Sequence, residues 1–194
     1  MKEILMMSPA ELAAELLAVS PGAVASDASA IYAVDNDDEK WQDFETLILR
    51  RLSIAREILL RDLLASMKAT SVLNSPNLTR DWLKLYCAYL EHEVFIVLHL
   101  DSRHHLIAVE EIFRGTLSHT SVYPREIVKS VLAHRSVSVL LAHNHPSGNT
   151  APSESDLYLT KQLVSALSLV DSHVSDHFIV AGNNVLSFTE QGYL

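Results

Sequence analysis

The chain has 194 residues, 48% of them hydrophobic and 20% charged, which suits one globular domain of ordinary size plus an extension and excludes a disordered chain. Its formal net charge is −9 and neither half is basic: residues 1–92 hold 14 acidic and 9 basic side chains, residues 93–194 hold 10 and 6. That balance argues against tight non-specific DNA binding, and the single cysteine, Cys87, excludes an intrachain disulfide and a Cys-based zinc knuckle.

Ser8-Pro9 followed by Glu11 to Leu17 reads as a short capped helix. Residues 20–30 are rich in Ser, Ala, Pro and Gly, and the acidic run Asp35 to Glu39 reads as a solvated loop. From Trp41 to Lys68, Phe44, Leu47, Ile48, Leu52, Ala55, Ile58, Leu59 and Leu63 fall at helical spacing, which predicts an amphipathic helix. Arg50, Arg51, Arg56 and Arg61 on this segment would make a local basic strip, or simply a solvated helix face. Asn74-Ser75-Pro76 breaks the helix and a second one is expected from about Leu78 to Leu90, with Cys87 as a buried small hydrophobe.

The pattern then turns to strands. Val94 to Leu100 reads as a buried strand, Asp101-Ser102-Arg103 as a turn, and His105 to Phe113 as a second strand. Pro124 to His134 reads as a helix with proline at its start. Val137 to Ala142 reads as a strand, Ser153 to Val170 as a helix, His173 to Val180 as a strand, Ala181 to Asn184 as a turn, and Val185 to Phe188 as the last strand. This alternation predicts an α/β domain over residues 72–194 with a helical N-terminal extension over 1–71. No apolar run approaches the roughly 20 residues that span a bilayer. The N-terminus lacks the order of a signal peptide, so a cytoplasmic location with no membrane contact is expected.

The chemistry concentrates in one string, His143-x-His145 followed by Ser153-x-x-Asp156. Two histidines two positions apart on extended backbone point the same way, and Pro146 keeps His145 extended. Pro146, Gly148 and Pro152 let the chain double back to Asp156 in the first turn of a helix. Two imidazoles and one carboxylate with an open fourth position form the donor set of a catalytic zinc site, holding one ion. Ser153-x-x-Asp156 is also a capping box, a structural reading compatible with a ligand role. Hydrolysis would further need a general base, and Glu91, Glu93, Glu110, Glu111 and Glu154 are all candidates that periodicity does not separate. His99, the His104-His105 pair, His92, His119, His134 and His173 lack partner spacing and read as surface or satisfied side chains. His177 beside Asp176 reads as structural, with orientation of a ligand as the alternative.

The run His143-Asn144-His145-Pro146-Ser147-Gly148 with Pro152-Ser153-x-x-Asp156 resembles the JAMM (MPN+) metalloprotease motif and, more closely, the RadC family associated with DNA repair. Glu93-x-Phe95, Leu100-Asp101, Gly115-Thr116-Leu117, Tyr123-Pro124-Arg125-Glu126, Asp176-His177-Phe178-Ile179-Val180 and Ser187-Phe188 fit the same family over residues 72–194. Longer members carry a helix-hairpin-helix segment, and no Gly-x-Gly hairpin of that kind is recognisable in this chain. The resemblance implies a JAMM/MPN fold, similar to that of cytidine deaminases, with a mixed sheet flanked by helices. It implies zinc ligands at His143, His145 and Asp156, a general acid/base at Glu93, and an oxyanion-stabilising serine at Ser153. The implied activity is zinc-dependent hydrolysis of a peptide or isopeptide bond in a protein or peptide substrate. The competing reading is a repair or mobile-element factor that works through DNA or partner binding. A nucleobase deaminase would need His-x-Glu and Pro-Cys-x-x-Cys, which a chain with one cysteine does not supply.

Overall fold

Local signals set most of the elements. The structure, a computed structural model, describes residues 2–18, 38–115 and 122–194. It divides into two compact units, Met1–Asp62 and Leu63–Leu194. Residues 20–30, most of the acidic run, Thr116-Leu117 and His119 lie outside the described residues.

The first unit is helical. Helices α1 (Lys2–Met6) and α2 (Pro9–Leu17) precede a long helix α3 (Asp38–Ala69), whose last residues belong to the second unit. Ser8 caps α2 in a capping box with Glu11, as the Ser-Pro signal predicts. Asp38 and Glu39, expected in a loop, instead open α3. Ile4, Leu12 and Ile54 are buried together, with Met7, Leu16 and Ile58 packed on them. The apolar face expected for α3 differs from the buried one: Leu47, Ile48, Leu52 and Leu59 are exposed. Apolar residues run well round this helix, so periodicity alone does not select the stripe that α1 and α2 cover. The basic strip is engaged within its own unit: Arg50 pairs with Glu15 and Glu3, Arg51 donates to the Ala18 carbonyl, and Arg61 donates to the Met7 and Leu5 carbonyls.

The second unit is a mixed five-stranded sheet flanked by helices. Its elements are α4 (Pro76–Cys87), β1 (Val94–Leu100), β2 (Leu106–Arg114), α5 (Pro124–His134), β3 (Ser138–Asn144), α6 (Glu154–Ser168), β4 (His173–Ala181), β5 (Asn184–Ser187) and a short α7 (Phe188–Gln191). The strand order is β2-β1-β3-β4-β5. Only β3 and β4 are parallel, joined by the α6 crossover; the other pairs are antiparallel.

Both β1 and β3 are buried along their whole length, which is why they read as unbroken apolar runs rather than alternating ones. On one face Phe95, Val97, Val139 and Leu141 pack against Ile127 and Val131 of α5 and Leu163 and Leu167 of α6. Each such side chain contributes about 1.5–3 kcal/mol on burial. On the other face Arg80 of α4 lies over the Phe178 ring, 5.8 Å from its centroid. Among the described residues no helix is long and apolar enough to cross a membrane.

Register decides where polar groups meet. Phe95 of β1 pairs with His143 of β3. The start of β1 therefore lies beside the end of β3, although about fifty residues of chain separate them.

Candidate metal centre

His143 projects from β3 onto the helix-covered face, where the Phe95 ring lies parallel to it at 6.1 Å. His145 stands one residue beyond the strand, yet its N–H still bonds the Val180 carbonyl at 2.8 Å, so the extended course persists and both imidazoles face one way. A turn follows in which the Gly148 N–H returns to the His145 carbonyl at 3.1 Å. Gly148 takes φ +82°, a conformation glycine adopts without strain.

The chain re-enters at the N-terminus of α6. The Ser153 Oγ accepts the Asp156 N–H at 3.2 Å, and Asp156 Oδ2 accepts the Ser153 N–H at 2.8 Å and its hydroxyl at 2.6 Å. This capping box also aims the carboxylate. Asp156 Oδ1 lies 3.3 Å from His143 Nε2, Oδ2 lies 3.7 Å from His145 Nε2, and the two Nε2 atoms are 3.0 Å apart.

The hydrogen-bond chain behind the site fixes its tautomers. Thr160 donates its hydroxyl to the Asp156 carbonyl at 2.6 Å, so it accepts from His177 Nδ1 at 2.7 Å. His177 is fully buried, and burial pushes its pKa well down, so it is neutral and its Nε2 accepts. The 2.9 Å contact between that atom and His143 Nδ1 then places the His143 proton on Nδ1. His145 Nδ1 donates to the Asn149 carbonyl at 2.7 Å. Both imidazoles thus turn an Nε2 lone pair toward the same carboxylate. Such a set repels itself unless a positive charge sits among its members, so its chemistry fits a divalent cation with three protein donors and an open side.

A proton shared with the carboxylate answers the same repulsion where no ion lies between them. Burial works against an ionised Asp156, but its contacts with His143 and His145, and then Ser153, outweigh it and hold the carboxyl far below the usual range. The Asp156 contact raises the pKa of His145, against the opposing effect of burial.

Asn144, between the two histidines in sequence, holds the other side of the site. Its Oδ1 accepts the Val94 N–H at 2.8 Å and its Nδ2 donates to the His92 carbonyl at 3.0 Å. These bonds clamp the backbone on both sides of Glu93. The Glu93 carboxylate acts electrostatically on His145. The other four carboxylates are placed elsewhere: Glu110 bonds Ser130 and His134, Glu111 bonds Tyr86 and Arg114, and Glu91 and Glu154 are exposed.

Two features depart from the sequence reading. His177, read as structural, bonds directly to a site histidine; its signal was the Asp176-His177 string. His99 and His134, read as satisfied or superficial, converge with Glu110, the three ligand atoms lying within 4.8 Å of one another. No sequence spacing announces that cluster, because β1, β2 and α5 each supply one member.

A family model described as RadC-like JAB domain matches residues 73–193. The chain is 51% identical over 143 residues to a UPF0758 protein of Thiobacillus denitrificans, an alignment covering 74% of this chain and 64% of that protein. It is 46% identical over 159 residues to a UPF0758 protein of Herminiimonas arsenicoxydans, covering 82% and 71%, and 50% identical over 144 residues to one of Janthinobacterium sp., covering 74% and 64%. The chain therefore spans slightly less than two thirds of the Thiobacillus and Janthinobacterium proteins. A matched domain of this length, carried on a mixed sheet with helices on its faces, places the chain in the RadC-like JAB domain family.

Proposed function

We propose that the protein is a zinc-dependent hydrolase of the JAMM type, a metallopeptidase acting on a peptide or isopeptide bond. The observation that carries the reading is the convergence of two Nε2 lone pairs and the Asp156 carboxylate, each oriented by a partner behind it. His143, His145 and Asp156 would hold the ion. When bound, zinc supplies Lewis acidity, which polarises a carbonyl and makes water a nucleophile near neutral pH.

The chain's own residues do the rest. The Glu93 carboxylate, whose charge acts on His145 and which is outside the ligand set, takes a proton from the attacking water and returns it to the leaving nitrogen. The Ser153 hydroxyl turns from Asp156 Oδ2 to donate to the developing oxyanion, a role suited to a hydroxyl on a rigid helix start. The His177–Thr160 chain keeps the His143 proton on Nδ1 throughout.

The test is metal content and peptidase turnover on the full chain. The probes are a fluorogenic peptide library and a set of lysine ε-linked isopeptides. The expected result is turnover abolished by chelator and restored by zinc, with Glu93→Gln retaining metal and losing turnover. A protein without bound metal, indifferent to chelators, would overturn the reading.

A further inference from the structure

We propose that His99, Glu110 and His134 form a second, separate metal site, for zinc or a similar divalent transition ion, which ties the end of α5 to strands β1 and β2.

The donors come from three elements. His99 is the sixth residue of β1 and shares the helix-covered face with Phe95 and Val97. Glu110 of β2 faces Val97 across the ladder. His134 ends α5, where the helix dipole favours a cation. His134 Nε2 lies 2.8 Å from Glu110 Oε1, His99 Nε2 lies 3.7 Å from Glu110 Oε2, and the imidazole centroids are 4.4 Å apart.

Proton accounting leaves one buried acceptor, His99 Nε2, without a donor. The Ser136 hydroxyl donates to the Val131 carbonyl at 3.3 Å, so it accepts from His99 Nδ1 at 2.9 Å, and that nitrogen carries the proton. His99 Nε2 is then a lone pair. It faces Ser130 Oγ at 2.9 Å, and Ser130 Oγ also touches Glu110 Oε2. One hydroxyl proton cannot serve both acceptors. A cation bound by His99 Nε2, by the Glu110 carboxylate and by His134 Nε2, in place of the proton that nitrogen otherwise donates to Glu110 Oε1, would satisfy the set and leave the Ser130 proton for Glu110. A second proton on His99 would also do so, but that side chain has 0% exposure and a charged imidazolium there is opposed by desolvation.

Chemistry and access fit the assignment. Two imidazoles and a carboxylate suit zinc and its neighbours rather than magnesium or calcium, which prefer all-oxygen sites. Glu110 and His134 keep 38% and 27% of their side chains exposed, so an ion can enter from solvent without opening the core. The site is distinct from the first. His99 lies four residues along β1 from Phe95, the partner of His143, which is about 13 Å of strand. A two-metal hydrolytic pair needs about 3.5–4 Å, so this ion would serve to pin elements together and not to share the reaction.

The experiment is equilibrium dialysis of the full chain against Zn2+ with elemental analysis, on the wild type, His145→Ala, His134→Ala and the double variant. The expected contents are two, one, one and no equivalents of zinc. Glu110→Gln in the His145→Ala background is the second route, read by the visible bands of Co2+ bound in place of zinc, which should disappear while far-UV circular dichroism is unchanged. A single equivalent in the wild type that His145→Ala removes entirely would overturn the proposal. A single equivalent that His134→Ala removes and His145→Ala spares would support it while refuting the first site.

Discussion

Two histidine-carboxylate clusters stand on the same face of one sheet, near opposite ends of β1, and they are built in opposite ways. At the His143 end, both histidines come from one strand and its exit, and the carboxylate comes from the next helix, so the fourteen residues 143–156 encode the set. At the His99 end, each donor comes from a different element, and only the sheet register and the packing of α5 bring them together. The first cluster is a local device carried by a scaffold; the second is a by-product of the scaffold that acquires chemistry because three polar side chains share a small volume. The difference teaches that a motif search sees the first kind and is blind to the second.

Four measurements bear on this contrast. The largest effect should come from Glu93→Gln, expected to lower turnover roughly 10²- to 10⁴-fold with metal content unchanged; steady-state kinetics beside elemental analysis checks it, and equal loss of metal would mean that Glu93 is itself a ligand. Next, His177→Phe removes the acceptor that fixes the His143 tautomer. It should weaken metal binding at that end by about 10- to 100-fold and leave binding at the His99 end alone, as competition with a zinc chelator would show in the His134→Ala background for the first end and in the His145→Ala background for the second.

Asn144→Ala removes two buried hydrogen bonds to the backbone. It should cost about 1–3 kcal/mol of stability and reduce turnover while both metal affinities persist, measurable by urea denaturation and zinc titration on one preparation. The last measurement concerns pH in the chelated protein, where turnover and metal binding are not involved. Burial, followed by the nearby His134 charge, lowers His99 from 6.5 to about 4. The unfolded chain therefore takes up this proton first as pH falls, and stability should decline from about pH 6.5 toward 4. His99→Phe should flatten that slope in a series of urea denaturation curves, whatever its effect on absolute stability.

Much of this was readable in advance where the physics is local. β1 and α5 occupy the expected spans, Val94–Leu100 and Pro124–His134, because one is an unbroken apolar run and the other begins at a proline. The expected end of β3 at Ala142 falls two residues short: His143 and Asn144 are polar, but pairing with β1 and β4 carries the strand through them. Helices α1 and α7 are too short to show a period. The buried stripe of α3 depends on which neighbours cover it. Glu93 stood out through family resemblance alone, since it precedes its strand and obeys no alternation. His99 and His134 give no such signal, because spacing in one dimension carries no information about a meeting of three elements.

Asn144 has a consequence for how this domain can change over generations. The proposed base and the proposed ligands hang on different strands, joined at that point by one amide clamped to the flanks of Glu93. A lineage that altered the few residues before β1 would shift the base while sparing the ion's cradle. Descendants could then keep the shape, and any partner that reads the shape, after the reaction itself had been discarded.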